Sequence, residues 1–150
     1  MTEVLFYHLE SASLETVLPG LLEKTLERGW KAVVRAGDHA RVDALDTLLW
    51  TYREESFLPH SAAREHSERQ PVWLTETDEV PNEAQILFLV DGAAIDAGAL
   101  DRFTRCVTIF DGANEAAVSG ARVFWKAAKA AGHDATYWKQ SPAGRWEKQG

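Results

Sequence analysis

The residues of this 150-residue chain whose types could carry chemistry are two Asp-Gly pairs, five histidines, one cysteine and a run of cations near the C-terminal end. Asp91 and Asp111 each follow an apolar run, where catalytic carboxylates of α/β enzymes sit at strand ends. Each also precedes a glycine, Gly92 or Gly112, which is ordinary turn chemistry, and the turn is the preferred reading. A small α/β enzyme or nucleotide-binding domain using Asp91 or Asp111 at the strand C-termini is the rival. His8, His39, His60, His66 and His133 are scattered, none at metal-ligand spacing. His60 and His66 share a polar stretch with Glu65 and Glu68, so a loop metal site is the sharper reading and solvated side chains the plainer one. Cys106 lies inside an apolar run and reads as a small core residue rather than a nucleophile. A phosphate loop of the GxxxxGK[ST] type is absent, as is a G-x-S-x-G elbow. The first apolar run is followed by His8-Leu9-Glu10-Ser11-Ala12, with no glycine to let a pyrophosphate approach the backbone. No catalytic residue, metal or cofactor is expected.

The cations are more informative. On a helical wheel at ~100° per residue, Arg122, Lys126 and Lys129 form one stripe, with Val118 and Trp125 beside it. Ala116, Ala117, Gly120, Val123, Phe124, Ala127 and Ala131 gather on the other side and are expected to lie against a sheet. Three cations flanked by apolar surface fit a peptide that is both acidic and aromatic; a solubilising helix face is the alternative. A second candidate surface joins Trp50 to Phe57-Leu58-Pro59-His60, the one apolar island in the polar stretch 51–70. These side chains either form a contact surface or fold back to cap the core.

The elements that must position these residues alternate. Val4 to Tyr7 reads as a buried strand. Ser13 caps a helix carrying Leu14, Val17, Leu18, Leu21, Leu22 and Leu26 up to Gly29, with Pro19 expected to kink it or mark a later start. Ala32-Val33-Val34 is a second strand, and Asp38 caps a second helix ending at Trp50. A long loop follows, and long loops in compact domains tend to be functional or disordered. Val72 to Thr75 and Ile86 to Val90 are strands, the latter apolar throughout and therefore covered on both faces. A short helix is expected over Ile95 to Phe103, a strand over Cys106 to Phe110, a last helix from about Asn114 to Ala131 and a final strand near Ala135 to Lys139. This alternation predicts an α/β fold: a Rossmann-like, mostly parallel sheet with helices on both faces. One domain is expected over 1–150, with a frayed tail from about 141.

Composition narrows the function classes. A formal net charge of −7 argues against broad electrostatic binding to nucleic acid. A direct single-stranded DNA binder, using the cationic stripe and stacking on Trp125, is thus a third and weaker class. Six Trp, six Phe and three Tyr exceed what so small a core needs, so some rings are expected at contact surfaces. The N-terminus has no signal-peptide pattern, and no run approaches the ~20 apolar residues of a membrane span. With a single cysteine, these features predict a soluble, cytoplasmic protein without disulfides.

Phe6-Tyr7, the L-D-x-L-L-W of Leu45 to Trp50, E-S-F-L-P-H of Glu55 to His60, R-x-x-W-K-A-x-K-x-A-G of Arg122 to Gly132 and A-T-Y-W-K of Ala135 to Lys139 resemble, in that order, the chi subunit family of DNA polymerase III. The W-x6-F-L-P-H spacing is the most specific element. The resemblance implies a non-catalytic accessory subunit of the clamp-loader assembly in DNA replication, meeting nucleic acid only indirectly. It implies binding of the acidic, Phe-ending C-terminal tail of single-stranded DNA-binding protein at Val118, Arg122, Trp125, Lys126 and Lys129. It also implies a surface for the psi subunit, another clamp-loader component or a helicase at Trp50, Phe57, Leu58, Pro59 and His60. Family members carry a glycine-rich loop after P-H, where this chain has Arg64-Glu65-His66-Ser67-Glu68-Arg69, so that loop is expected to differ in conformation.

Overall fold

The computed structural model describes residues 2–10, 13–51, 72–77, 83–90, 92–93, 95, 97–141 and 145–149, with 49–51, 97 and 98 described by their backbone. The elements run β1 (Glu3–Leu9), α1 (Leu14–Glu27), β2 (Ala32–Arg35), α2 (His39–Thr51), β3 (Val72–Thr75), β4 (Ile86–Leu89), a 3₁₀ turn (Ala97–Arg102), β5 (Arg105–Asp111), α3 (Glu115–Ala130), β6 (Asp134–Gln140) and β7 (Trp146–Lys148).

The strands form a seven-stranded sheet ordered β3-β2-β4-β5-β1-β6-β7. Every pairing is parallel except that of β6 with β7. The all-apolar strand β4, Ile86–Leu89, is buried throughout and lies between β2 and β5. One face of the sheet packs Leu14, Leu18 and Leu22 of α1 and Val42 and Leu45 of α2 onto Val34, Phe88, Val107 and Ile109. The other packs Ala121 and Ala128 of α3, with Leu100 and Phe103, onto Phe6, Leu87, Cys106 and Phe110. Helices therefore cover both faces, in the Rossmann-like α/β arrangement. The chain leaves β1 toward one edge of the sheet through α1 and leaves β5 toward the other edge through α3. The C-terminal ends of these adjacent strands thus border a topological switch point.

The stops follow the sequence. Gly29 and Gly132 close α1 and α3 at φ of 81° and 87°, the left-handed geometry that favours glycine. Asn114 accepts a hydrogen bond from the N–H of Ala117 at 3.1 Å and so caps α3. Asp38 Oδ1 accepts from the N–H of Arg41 at 2.9 Å at the start of α2.

Four expectations change. Helix α1 starts at Leu14 and carries Pro19 in its interior, buried against the core, so of its two expected roles the proline does not mark a later start. The helix over Ile95 to Phe103 reduces to the 3₁₀ turn. Part of the tail expected to fray forms β7, because Trp146 packs edge-on against Tyr7 with centroids 4.9 Å apart. The face α3 turns to the sheet also differs. Ala116, Gly120, Val123, Ala127 and Ala131 are exposed, while Ala121 and Ala128 are buried and Ala117, Val118, Phe124 and Trp125 half-buried. Apolar residues ring most of this helix, and the large side chains, which remove the most area from water, decide its rotation.

Candidate functional site

Helix α3 packs on one face of the sheet against β5 and β6, and the side chains facing each other there build the site. In β1 and β6 alternate residues share a face, and the register pairs Phe6 with Tyr137 and His8 with Lys139. Phe6 and Tyr137 stack at 6.4 Å. Trp125 descends from α3 onto both, 5.2 Å from Phe6 and 6.0 Å from Tyr137, edge-on to each. The result is an aromatic floor, half open to solvent at Trp125 and Tyr137.

Charge surrounds this floor. The ammonium of Lys129 lies 4.7 Å from the centroid of the Trp125 ring, within cation–π range. Burial pushes the Tyr137 phenol above its ordinary range; the positive charge of Arg122 pulls it back and Glu10 adds to the rise. Arg122 therefore stands close enough to Tyr137 for its field to be felt. Lys126 is exposed on the outer side of the helix. Val118 is half-buried one and two turns N-terminal to Arg122 and Trp125, packed on the same core. The five residues expected from the sequence are thus on one shoulder of α3, with Trp125 and Val118 anchored and the cations reaching outward.

Three sheet residues join them that sequence reasoning missed. The Tyr137 hydroxyl bonds His8 Nδ1 at 2.5 Å, and the His8 ring also meets Phe110 at 5.2 Å. His8 Nε2 stands 2.9 Å from Glu10 Oε1. Lys139 Nζ reaches the same Glu10 oxygen at 3.5 Å. Gly112 roofs the histidine: a Cβ built there would stand 1.9 Å from His8 Nε2. The period-two alternation of Tyr137 and Lys139 was the available signal.

The remaining candidates have structural roles. Cys106 is fully buried, and desolvation pushes its thiol up to about 12, so it stays a protonated core residue at neutral pH. His133 is buried, its Nδ1 accepting from the N–H of Thr2 at 3.0 Å. His39 lies 3.4 Å from both Asp43 and Glu76 on the surface. Asp111 accepts from the N–H of Ala113 at 2.9 Å, the turn geometry its glycine neighbour predicts. No cluster of metal-ligating side chains occurs among the described residues, and no helix there is long and apolar enough to cross a membrane. Phe57, Leu58, Pro59 and His60, the loop carrying Glu65, His66 and Glu68, and Asp91 lie outside the described residues. Of the second surface, the structure places the backbone of Trp50 in the last turn of α2.

Residues 1–136 match the model of the family described as DNA polymerase III chi subunit, HolC. The chain is similar to a curated protein named probable DNA polymerase III subunit chi from Rickettsia prowazekii, 26% identical over 91 residues, which cover 60% of this chain and 55% of that relative. It is also similar to the DNA polymerase III subunit chi of Pseudomonas aeruginosa, 38% identical over 71 residues, which cover 45% of this chain and 50% of the relative. The chain thus spans about half the length of the curated relatives it matches.

Proposed function

The chain belongs to the DNA polymerase III chi subunit family, a family of replication accessory subunits, and from that premise we propose that it is a non-catalytic adaptor. Its α3 surface binds the acidic C-terminal tail of single-stranded DNA-binding protein. The observation that carries this reading is the half-open aromatic floor of Phe6, Trp125 and Tyr137, flanked by Lys129 and Arg122. The aromatic side chain of the tail lies against Trp125 and Val118, while its Asp residues and terminal carboxylate pair with Arg122, Lys126 and Lys129. One buried aromatic ring contributes ~1.5–3 kcal/mol and each charge-assisted hydrogen bond ~1.5–3 kcal/mol. After ordering costs this reaches about −8 kcal/mol, the micromolar range. A partner in the replication complex, the psi subunit, another clamp-loader component or a helicase, meets the surface around Trp50, Phe57, Leu58, Pro59 and His60.

Titration of a labelled acidic tail peptide against the native chain, Lys126→Ala and Lys129→Ala tests the first surface. Each variant is expected to bind roughly tenfold more weakly, as loss of about 1.4 kcal/mol predicts. Affinity should fall with salt, because exposed charges are screened over ~8–10 Å at 0.1–0.15 M. Unchanged affinity in both variants rules the site out. The second surface is tested by pull-down from cell extract with a Trp50/Phe57 double alanine variant, which should lose a partner the native chain retains.

A further inference from the structure

The other shoulder of α3 borders a groove of about 1120 Å³ at the C-terminal edge of the sheet. Its floor is apolar, contributed by Leu89, Ile109 and Phe110, and its wall by α3 residues Ala116, Gly120, Val123 and Ala127. These four recur at intervals of four, three and four, so they form one straight strip about 16 Å long at 1.5 Å per residue. Val123 on it is 67% exposed, the single large hydrophobic so exposed among the described residues. Gly120 is in the helix interior, where glycine weakens a helix, yet a Cβ built on it would meet nothing within 4 Å. Nothing among its described neighbours requires a glycine there. It does allow a second backbone to approach closely.

The electrostatics choose the occupant. Glu10, Glu15 and Asp111 stand at the mouth, and no Lys or Arg is among the described residues lining the groove. Arg41 and Lys139 partly balance Glu15 and Glu10, whereas Asp111 faces no cation among the described residues. An anionic ligand such as a phosphate or acidic peptide is thereby disfavoured.

We propose that this groove docks an amphipathic helix of a partner protein, its small apolar face on Ala116, Gly120, Val123 and Ala127 and its basic end over Asp111, Glu10 and Glu15. The two shoulders of α3 then prefer opposite charges, and a partner here leaves the Trp125 shoulder free.

The probe is a fluorescein-labelled amphipathic peptide about three to four turns long, with Leu and Ala on one face and Lys clustered at one end. Two controls accompany it: the same composition scrambled, and the Lys residues replaced by Glu. Saturable anisotropy binding of the Lys peptide is expected, at least tenfold tighter than either control. It should weaken at least tenfold in Gly120→Leu, which fills the groove, and in Val123→Lys, which sets a charge against the peptide's apolar face. Asp111→Asn keeps the turn acceptor and should weaken binding several-fold at low salt. Circular dichroism confirms that each variant folds, as substitutions at exposed positions should allow. The proposal is overturned if the Lys peptide shows no saturable binding, if the Glu peptide binds as well, or if Gly120→Leu and Val123→Lys both bind as the native chain does. Sedimentation velocity showing self-association of the native chain, abolished by Gly120→Leu, would instead give the groove to a second copy and also overturn it.

Discussion

Lys129 holds its ammonium over the face of Trp125, one turn earlier on the same helix, at 4.7 Å from the ring centroid. The indole rests in turn on Phe6 and Tyr137, so a cation on a mobile stem is tied to a ring fixed by the sheet. At a site this exposed such a pair contributes ~0.5–1 kcal/mol. A double-mutant cycle over Lys129→Ala and Trp125→Leu, read from urea unfolding, should return a coupling in that range. A coupling indistinguishable from zero would show that the ammonium merely passes over the ring.

Tyr137→Phe keeps the ring contacts and removes the hydroxyl that bonds His8 Nδ1. The expected loss is about 1 kcal/mol, the net contribution of one hydrogen bond, or roughly 2–4 °C in Tm for a chain of this size. His8→Phe in the Tyr137→Phe background should then cost less than His8→Phe alone, since the shared bond is already gone.

Burial raises the phenols of both Tyr137 and Tyr7. A group with a raised folded pKa stabilises fully below its unfolded value and loses that contribution as pH rises through the folded one. Stability should therefore hold up to the ordinary tyrosine range near pH ~10 and decline beyond it. Absorbance titration of tyrosinate should show two late-titrating phenols in the native chain and one in Tyr137→Phe. Glu15 behaves oppositely: the hydrogen bond from Arg41, at 2.8 Å, holds its carboxyl below its usual value of 4.5. Its contribution is present above that value and is lost as pH falls through the folded pKa. In Arg41→Ala the NMR midpoint of Glu15 should move up.

Much of the fold was legible because local and global signals coincide. The run Ile86 to Val90 is apolar in sequence because β4 is covered on both faces, and Gly29 and Gly132 end helices where φ turns positive. Helix α3 shows where that legibility ends. Its apolar residues surround most of the axis, so periodicity alone could not choose between the Gly120 side and the Ala121 side; the packing of Trp125 and Phe124 on the sheet chose. Likewise, no sequence pattern ties Trp146 to Tyr7, because that contact depends on two residues far apart in the chain meeting at the sheet edge. Among the site residues, the α3 members follow from helical spacing. Period-two alternation puts Tyr137 and Lys139 on one face of β6, but bringing them to His8 required the register of β1 against β6, which a single sequence does not encode visibly.

Two glycines give the sharpest stability contrast. At Gly112 a Cβ would overlap the His8 ring and stand 2.7 Å from the carbonyl oxygen of Leu9. The backbone contact cannot be relieved by turning a side chain, so Gly112→Ala should destabilise by ~1–3 kcal/mol, as overpacking does. At Gly120 the same methyl enters open space within a helix interior. Alanine is favoured there by ~0.5–1 kcal/mol, so Gly120→Ala should raise the urea midpoint at unchanged slope. Both substitutions add one methyl group to one glycine, and opposite shifts are expected because only one of the two glycines is enclosed by its own chain. If Gly112→Ala were neutral, the roof over His8 would be loose, and the Tyr137 to His8 hydrogen bond would lose the enclosure that keeps its histidine buried.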